Sequence, residues 1–592
     1  MFSKASGKIK LLCLPLMQTT FGKVDQHENE AVPNRILCRG GSALAWLLAA
    51  MTASSMALTA CGGGASSEVS KENSNPPAQS STAQAEPTIH KLKLLGAHNG
   101  GEIWDNRENY DVWGIWQEML KENNLELEYE MVTGEQYPTV IQTRMSSGSN
   151  LPDIANVSPL DDAMLLGLAK QGVILELNSL LNQYSNGNVE AMYRDTYPFA
   201  NGLVLTADGN RYWTTNLYVK TYQKKDLANT GLTLMVRGDW LDSLKLDVPT
   251  TLDEFTQTLR TFREKDPNGT GTADEILNLK VQTFQNGLAQ CFGLGADVVS
   301  IDPNNRAVVS PWYQDGAKAY FAYVQSLVSE GIIDPALIGS SEVANQRTAE
   351  NKVGAFFSYG MDGWTQKKIA DVENAHFQPL MPLTGAAEGI TPYAVVEPGE
   401  LCWNRYVITK GCKDVEGAVK LLDLFYSQEY RQMMCWGVEG DYSETKDGIT
   451  SKIKYEEGQN QRDGKIFGNG EQIFGDYIPN LRIFYLDAEL EGNRPAKPKA
   501  VAYQEQVNSY PYWYTNMNGN YLAVATDEEA EQMSTLATAI NTYSQELCTK
   551  LSLGQASLDD WDSYIAEFDK MGLKDLMQIY EDRMNRYFDF RK

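Results

Sequence analysis

Strand-like segments alternate with helix-like segments from residue 91 onwards, and this alternation constrains the fold more than any other feature. The segment 91–97 is an apolar strand candidate, and LELEYEMV at 125–132 alternates apolar and acidic residues as a half-buried strand would. Residues 113–120 and 139–148 have helical spacing. Strands that alternate with helices predict an α/β fold built on a mostly parallel sheet.

A second α/β unit begins near residue 232. Thr251 and Glu254 have the spacing of a capping box, in which two side chains bond each other's backbone N–H at the start of a helix. Phe255 and Leu259 follow on one helical face. With 592 residues, the chain is long enough for several lobes with sizeable cores.

Charge and histidine content exclude several classes of function. The chain has 77 acidic and 51 basic residues, a formal net charge of −26, and so lacks the basic surplus that nucleic acids or anionic lipids require. It contains four histidines, with neither an HExxH motif nor a zinc-like Cys/His spacing. Ser–His–Asp catalysis would depend on His98 or His376, and neither lies in a recognisable motif. Catalysis by paired carboxylates stays open, because acidic residues are plentiful.

A leader is predicted at the start of the chain. Residues 35–61 read RILCRGGSALAWLLAAMTASSMALTAC, a basic start, a short apolar stretch and a terminal cysteine. The apolar stretch is too short and too rich in small residues for a membrane span. The segment resembles a bacterial lipoprotein signal, which implies cleavage before Cys61 and attachment of diacylglycerol and palmitate to it. The alternative is an ordinary secretory signal with a chance cysteine.

Residues 61–90 are rich in Ser, Ala, Gln, Pro and Gly and contain few large apolar side chains. Such a segment cannot bury enough surface to fold, so we predict a flexible tether that would hold the body clear of a membrane. The other cysteines of the body are odd in number and widely spaced, which favours free thiols over a disulfide framework. They are Cys291, Cys402, Cys412, Cys435 and Cys548.

Several segments together resemble the extracellular solute-binding proteins of ABC importers, in particular the large lipoprotein branch that takes up oligosaccharides. The resemblance extends from about residue 92 to the end, and the order and spacing of the segments make it specific. They are LPDIANVSP (151–159), LAKQGVILELNSLLNQY (168–184), 235–276, GAFFSYGMDGW (354–364), 411–442 and 559–587.

The resemblance implies a two-lobed α/β fold, periplasmic-binding-protein-like and of type II, with a ligand cleft between the lobes and added C-terminal helices. Open α/β sheets present loops to a crevice at the carboxyl ends of their strands, which agrees with this expectation. The expected segments are a leader at 1–60, the tether at 61–90, lobe 1 at 91–220, lobe 2 at 221–360, a return to lobe 1 with the hinge at 361–430, and the rest of lobe 2 with C-terminal helices at 431–592.

An oxygen-rich loop at 266–275 is a candidate calcium site, because hard oxygen ligands suit Ca²⁺. Leu277 stands where an EF-hand requires glutamate, so the loop is not an EF-hand. It is similar to the calcium loop of the family's alginate-type binders, which usually read DxDGNGxxDE. The ion would be structural, and the alternative is a solvated turn without an ion. The candidate ligands are Asp266, Asn268, Thr270, Thr272, Asp274 and Glu275.

Aromatic residues beside turns and strand ends are candidate sugar platforms, since sugars have apolar CH faces and hydroxyl edges. The chain has 12 Trp and 30 Tyr, a high aromatic load. For each aromatic taken alone, a place in the core is at least an equally good interpretation. The candidate ligand-binding residues are Trp104, Trp213, Arg237, Asp239, Trp312, Tyr359, Trp364, Trp436 and Glu439.

The leading hypothesis is a lipid-anchored substrate-binding component of an ABC importer that captures an oligosaccharide and delivers it to the permease subunits. It would be a monomer without enzymatic activity, on the extracellular face of the cytoplasmic membrane as in Gram-positive bacteria. Two alternatives stay open: a cell-surface enzyme that acts on glycans through two carboxylates, and a glycan-binding lipoprotein without a transport role. The family also includes peptide binders. The expectation that the ligand is a carbohydrate therefore rests on the resemblance and not on any motif in the sequence.

Overall fold

The computed structural model describes residues 88–591 except for several gaps. The gaps are 99–103, 220–231, 303–304, 338–340, 360–371, 373–374, 397–399, 402–403, 447–448, 454–460, 463–464, 467–511 and 515–520. The predicted leader, Cys61 and nearly all of the predicted tether lie outside the described residues. Among the helices that are described, none combines the length and apolar character needed to cross a membrane.

Most of the described strands have two to four residues, and four have six or more. In chain order they are β1 (His90–His98), β2 (Leu125–Thr133), β3 (Ile154–Asn156), β4 (Thr214–Thr215), β5 (Tyr218–Val219), β6 (Leu232–Arg237), β7 (Ile276–Asn278), β8 (Ser300–Asp302), β9 (Ala307–Val309), β10 (Val353–Tyr359), β11 (Phe377–Pro379), β12 (Ala394–Val396), β13 (Glu400–Leu401), β14 (Arg405–Ile408), β15 (Ser443–Lys446), β16 (Ile449–Lys452), β17 (Gln461–Arg462), β18 (Lys465–Ile466) and β19 (Tyr512–Tyr514).

The α-helices flank the sheets and close the chain. They are α1 (Asp111–Glu122), α2 (Tyr137–Ser147), α3 (Asp162–Lys170), α4 (Asn178–Tyr184), α5 (Asn188–Ala191), α6 (Gly238–Leu244), α7 (Leu252–Lys265), α8 (Gly316–Ser329), α9 (Ser341–Ala349), α10 (Val415–Leu424), α11 (Gln428–Trp436), α12 (Asp527–Ser552), α13 (Trp561–Lys570) and α14 (Leu573–Asp589). Shorter helical turns lie at Arg107–Asn109, Met192–Thr196, Pro198–Leu203, Ala289–Phe292, Pro311–Tyr313, Pro335–Leu337 and Leu558–Asp560.

The first sheet has five strands in the order β2-β1-β3-β14-β4. β1 pairs in parallel with β2 and β3, whereas β14 runs antiparallel to β3 and β4. The strands predicted at 91–97 and 125–132 are confirmed as β1 and β2. A hydrophobic core covers this sheet, and α1, α2, α10 and α11 each bury side chains in it. This sheet and its core form lobe 1.

The second sheet has four strands in the order β11-β6-β10-β7 and forms lobe 2 with a second hydrophobic core. β7 runs parallel to β10, whereas β6 is antiparallel to both β10 and β11. The antiparallel β6 departs from the expected mostly parallel sheet, because apolar periodicity carries no information about strand direction. β11 also belongs to this sheet, although we expected 361–430 to return to lobe 1.

The capping box predicted at the start of α7 is confirmed. Thr251 accepts a hydrogen bond from the backbone N–H of Glu254, and the Glu254 carboxylate accepts one from the backbone N–H of Thr251. Phe255 and Leu259 are buried on the inner face of the helix. Three cysteines in the described part of the chain, Cys291, Cys412 and Cys548, are free and buried, as the spacing predicted.

The C-terminal helices pack on both lobes. In α12, Ala530 contributes to the core of lobe 1, whereas Ile540 and Leu551 contribute to that of lobe 2. In α14, Leu573 belongs to the core of lobe 2 and Tyr587 to that of lobe 1. We expected these helices to accompany lobe 2, but their apolar stripes are long enough to cover both cores.

Candidate functional site

The carboxyl ends of four strands that run in the same direction, β1, β2, β3 and β4, lie at one edge of the first sheet. Tyr406 pairs with Asn156 at the end of β3, and Arg405 pairs with Thr215 at the end of β4. The antiparallel β14 therefore begins where β3 and β4 end. Ligands of open α/β sheets bind outside the carboxyl ends of the strands, so this edge is the lobe 1 part of the candidate site.

Buried asparagines form a hydrogen-bond network at this edge. Asn156 Nδ2 donates to Asn404 Oδ1 at 3.2 Å, the backbone N–H of Asn404 donates to Asn216 Oδ1 at 2.7 Å, and the backbone N–H of Asn216 donates to the Asn404 carbonyl at 3.1 Å. Ser158 Oγ donates to Asn156 Oδ1 and accepts from the backbone N–H of Arg405 at 2.9 Å. These bonds fix the side chains in one arrangement.

Sequence reasoning missed this network. Asn156 and Asn216 each lie at or directly after the end of a strand, and Asn404 directly precedes one. Polar residues beside buried strands were a signal in the sequence, but their meeting depends on β14 inserting between β3 and β4. The side-chain nitrogen of Asn404, Nδ2, takes no part in these bonds to described residues, so we regard it as a candidate donor to a ligand.

Trp104 follows β1 and belongs to an aromatic cluster at the surface of lobe 1. Its ring centroid lies 5.9 Å from that of Trp113 and 5.8 Å from that of Tyr129. The Arg107 guanidinium carbon lies 4.2 Å from the Trp104 centroid. Trp104 and Trp113 are half-buried. A partly exposed ring held by a cation and other rings keeps Trp104 among the candidate platforms.

Trp213 and Trp312 lie inside the two hydrophobic cores, which corrects the expectation that they contact ligand. Trp213 is 0% exposed, and its Nε1 donates to the Leu203 carbonyl at 3.1 Å. Trp312 is 1% exposed, and its Nε1 donates to Ser544 Oγ at 2.9 Å. Because both indole N–H groups are satisfied internally and neither ring has an accessible face, we remove both from the candidate ligand residues.

Arg237 and Asp239 form an ion pair in lobe 2, at the edge of the second sheet that lies opposite to the carboxyl ends of β7 and β10. Tyr359 at the end of β10 pairs with the first residue of β6, so Arg237 at the end of β6 lies where β7 and β10 begin. Arg237 is 1% exposed; its Nε and Nη2 donate to the two Asp239 oxygens at 2.8 and 2.7 Å, and Nη1 donates to Asn351 Oδ1 at 2.6 Å. This pair stabilises the amino edge instead of facing a ligand at the carboxyl edge.

The remaining candidates are placed only in part. Tyr359 is the last residue of β10, at the carboxyl edge of the second sheet, and Trp436 is the last residue of α11. Glu439 is exposed in a turn that bridges to Ser443. Trp364 lies outside the described residues.

The oxygen-rich loop at 266–275 connects α7 to β7 and is folded by its own hydrogen bonds. Asp266 accepts from the backbone N–H groups of Thr270 at 2.9 Å and Gly271 at 2.8 Å. Asn268 Nδ2 donates to Asp274 Oδ1 at 2.9 Å. Positive φ angles at Asp266 (50°) and Gly271 (77°) allow the chain to wrap around these carboxylates.

Glu275 is the exception within this loop. It is 2% exposed, and neither carboxylate oxygen has a hydrogen-bond partner among the described residues. Burial raises the pKa of Glu275, and the nearby negative charges of Asp274 and Asp266 raise it further. An unpartnered buried carboxylate beside two other carboxylates is costly, and a divalent cation would relieve that cost.

The donor set therefore fits Ca²⁺, although some ligands would need to rearrange. Asp266 and Asp274 are held by donors of the loop itself, and Thr270 Oγ1 and Thr272 Oγ1 are hydrogen-bonded at 3.0 Å. In the described part of the chain, no three Asp, Glu, His or Cys side chains are arranged closely enough to bind a metal ion without rearrangement. Binding of calcium to Asp274 would replace the hydrogen bonds that Asn268 Nδ2 and Thr270 Oγ1 donate to this carboxylate.

The described part of the chain has two α/β lobes, each with its own sheet and hydrophobic core. The chain belongs to the family of bacterial extracellular solute-binding proteins, because the family model matches residues 114–432, more than half of its 592 residues.

Two relatives extend the comparison over the whole body. The chain is 22% identical over 560 residues to the fructooligosaccharide ABC transporter substrate-binding protein FusA of Streptococcus pneumoniae, covering 91% of this chain and 97% of FusA. Structures of FusA with kestose, and of its EF-hand mutant with fructo-nystose, each match with a TM-score of 0.66 at 20% identity, covering 84% of this chain and 100% of FusA. The alginate-binding protein AlgQ2 without calcium ion matches with a TM-score of 0.62 at 19% identity, covering 84% and 99%.

Proposed function

We propose that the protein is the extracellular substrate-binding component of an ABC importer and that it captures an oligosaccharide at the carboxyl edges of its sheets. The observation that carries this proposal is the fixed network of Asn156, Asn216 and Asn404 at the lobe 1 edge. Sugar hydroxyls both donate and accept hydrogen bonds, and amide side chains do the same. The half-buried Trp104 ring would supply a flat apolar platform for the sugar faces.

The similar proteins support this class of ligand. FusA is a fructooligosaccharide-binding protein by name, and it has been solved with kestose. We infer that this chain likewise binds and releases its sugar as a monomer, without breaking a bond, and passes it to permease subunits. Contacts from both lobes would favour a closed state over an open one, which is how binding drives hinge closure.

The role of the lobe 1 edge is tested by Asn404→Ala. Loss of the side-chain amide removes the candidate donor and one acceptor of the network. A lost hydrogen bond to a ligand costs about 1–3 kcal/mol, which corresponds to a loss of affinity of roughly 5- to 150-fold. Isothermal titration with kestose and longer fructooligosaccharides would measure it. Asn123→Ala is the matched control, because Asn123 directly follows α1 and its Nδ2 donates to the Met119 carbonyl within that helix. Equal affinities in the two variants would contradict the proposed site.

We also propose that Cys61 carries a lipid anchor, including palmitate, that holds the protein on the extracellular face of the cytoplasmic membrane. Cys61→Ser should release the protein from the membrane fraction, because the acceptor of the lipid is lost. Cys38→Ser is the control, since it changes a cysteine of the same leader that lies before the predicted cleavage point. Membrane retention of the Cys61→Ser protein would refute the anchor.

The loop at 266–275 is proposed to hold a structural Ca²⁺ through the six oxygen-bearing residues predicted from the sequence, which are Asp266, Asn268, Thr270, Thr272, Asp274 and Glu275. The buried, unpartnered carboxylate of Glu275 supports this proposal, and the structures of an EF-hand mutant of FusA and of AlgQ2 without calcium agree with it. The bound ion would supply positive charge to the loop. The loop lies where β7 and β10 begin, at the opposite edge from Tyr359, so the ion would act on stability and would not contact the sugar.

A further inference from the structure

Parallel pairing places Lys352 beside the oxygen-rich loop. Val353, the first residue of β10, pairs with Ile276, the first residue of β7, and the backbone N–H of Ile276 donates to the Lys352 carbonyl at 2.8 Å. The residues that precede these two strands, Lys352 and Glu275, are therefore neighbours at the amino edge of the second sheet. No spacing in the sequence reveals this, because the two residues are 77 positions apart in the chain.

The Lys352 ammonium lies between two acidic groups. Its Nζ is 3.4 Å from Asp274 Oδ2 and 3.0 Å from Glu350 Oε2, and its side chain is 25% exposed. Two other cations lie close to the loop. Arg263 donates to the Glu275 backbone carbonyl at 2.9 Å, and Lys265 pairs with Glu264, outside the loop. Within the described residues, Lys352 is thus the cation that contacts a carboxylate of this loop.

Asp274 already has partners within the protein, because its Oδ1 accepts hydrogen bonds from Asn268 Nδ2 at 2.9 Å and Thr270 Oγ1 at 3.0 Å, and its Oδ2 contacts Lys352. The buried Glu275 beside it has no hydrogen-bond partner among the described residues. A divalent cation that binds both carboxylates would lie next to the Lys352 ammonium and be repelled by it.

We propose that Lys352 is an internal counter-ion that competes with Ca²⁺ for Asp274 and lowers the affinity of the loop for calcium. This inference rests on the calcium site proposed above. When calcium binds, the ammonium would leave Asp274 and keep its contact with Glu350. The charge and rigidity of a calcium loop set its affinity, so a lysine placed against one ligand adjusts that affinity without changing the ligand set.

The test is Lys352→Gln, measured by calcium titration and by thermal unfolding in EDTA. Without calcium, the melting temperature should fall, because Asp274 loses its counter-ion. The calcium affinity should rise roughly tenfold, because one positive charge near the ion is removed. These opposite changes are the signature of a competing counter-ion, whereas loss of a merely structural residue would lower both quantities.

Lys420→Gln is the matched control, because it removes the same charge from an ion pair on lobe 1, where Lys420 Nζ lies 2.7 Å from Glu416. It should leave the calcium affinity unchanged within about twofold. If the wild type binds calcium and Lys352→Gln binds it equally or less well, the counter-ion role is wrong while the calcium site stands. If only the variant binds calcium, the counter-ion role is supported in its strongest form. If neither binds calcium, both proposals fail.

Discussion

Two buried acidic side chains, one in each lobe, are satisfied in opposite ways. Asp162, the first residue of α3, accepts hydrogen bonds from Arg405 Nη1 at 2.8 Å, from Arg583 Nη2 at 2.6 Å and from the backbone N–H of Ala525 at 3.2 Å. Glu275 accepts none from the described residues. The exposed fractions are similar, 8% for Asp162 and 2% for Glu275, so burial alone does not distinguish them.

The difference separates a group that stabilises the fold from one that requires a partner. Burial would raise the pKa of Asp162, but the two guanidinium groups lower it to about 2. For Glu275, burial and neighbouring carboxylates raise the pKa together. Asp162 thus forms ion pairs that join α3, β14 and α14. Glu275 has no such partner among the described residues, and a bound cation would provide the missing positive charge.

The largest expected effect comes from breaking the satisfied cluster. Asp162→Asn leaves the buried Arg583 and the half-buried Arg405 without their counter-charge. Loss of one partner of a buried ion pair typically costs about 3–5 kcal/mol of unfolding free energy. Urea denaturation would measure the loss. Asp195→Asn is the control, because Asp195 and its partner Arg194 are exposed and should contribute little. Equal stabilities of the two variants would show that the cluster does not join the helices to the sheet.

The next effect concerns the unsatisfied group. Glu275→Gln should raise the melting temperature in EDTA, because it removes an unpartnered buried charge, and should abolish stabilisation by calcium. For the wild type, calcium at a hundred times its dissociation constant would add about 2.7 kcal/mol. Glu264→Gln, on the exposed end of α7, should behave like the wild type. Persistence of the calcium effect in Glu275→Gln would show that this carboxylate is not a ligand.

A smaller effect is expected when the pH is lowered, because the contribution of Asp162 to the free energy of unfolding depends on its ionisation. The folded-state pKa of Asp162 is about 2, below its ordinary value of 3.8, so the unfolded chain binds this proton first. The contribution of Asp162 is therefore full above about pH 4 and is lost as the pH falls towards 2, a change of about 2 kcal/mol. Melting temperatures between pH 5 and 2 should fall less steeply for Asp162→Asn than for the wild type; parallel curves would contradict the assignment.

Local features were predictable from the sequence. β1, β2 and the capping box of α7 follow from periodicity and spacing within about ten residues. The direction of β6 did not follow, and it placed Arg237 at the amino edge, away from Tyr359. The burial of Trp213 and Trp312 was also hidden, because a tryptophan beside a turn has the same local sequence in a core as at a cleft.

The long-range contacts could not be predicted at all. Asn156 meets Asn404 and Asp162 meets Arg583 because strands and helices more than 240 residues apart in the chain pack together. Lys352 meets Asp274 for the same reason, through the pairing of β7 with β10. In each case the residue types were visible, but their partners depend on the topology of the sheets.

The central claim is that the protein is a receptor that binds an oligosaccharide and returns it unchanged. Titration of a form of the protein that begins at Gly62, with kestose and longer fructooligosaccharides, followed by chromatography of the recovered sugar, tests this directly. We expect saturable one-to-one binding in the micromolar range, about −8 kcal/mol, with the sugar recovered intact. Absence of binding across a wider panel of oligosaccharides, or recovery of shortened sugars with new reducing ends, would contradict the account.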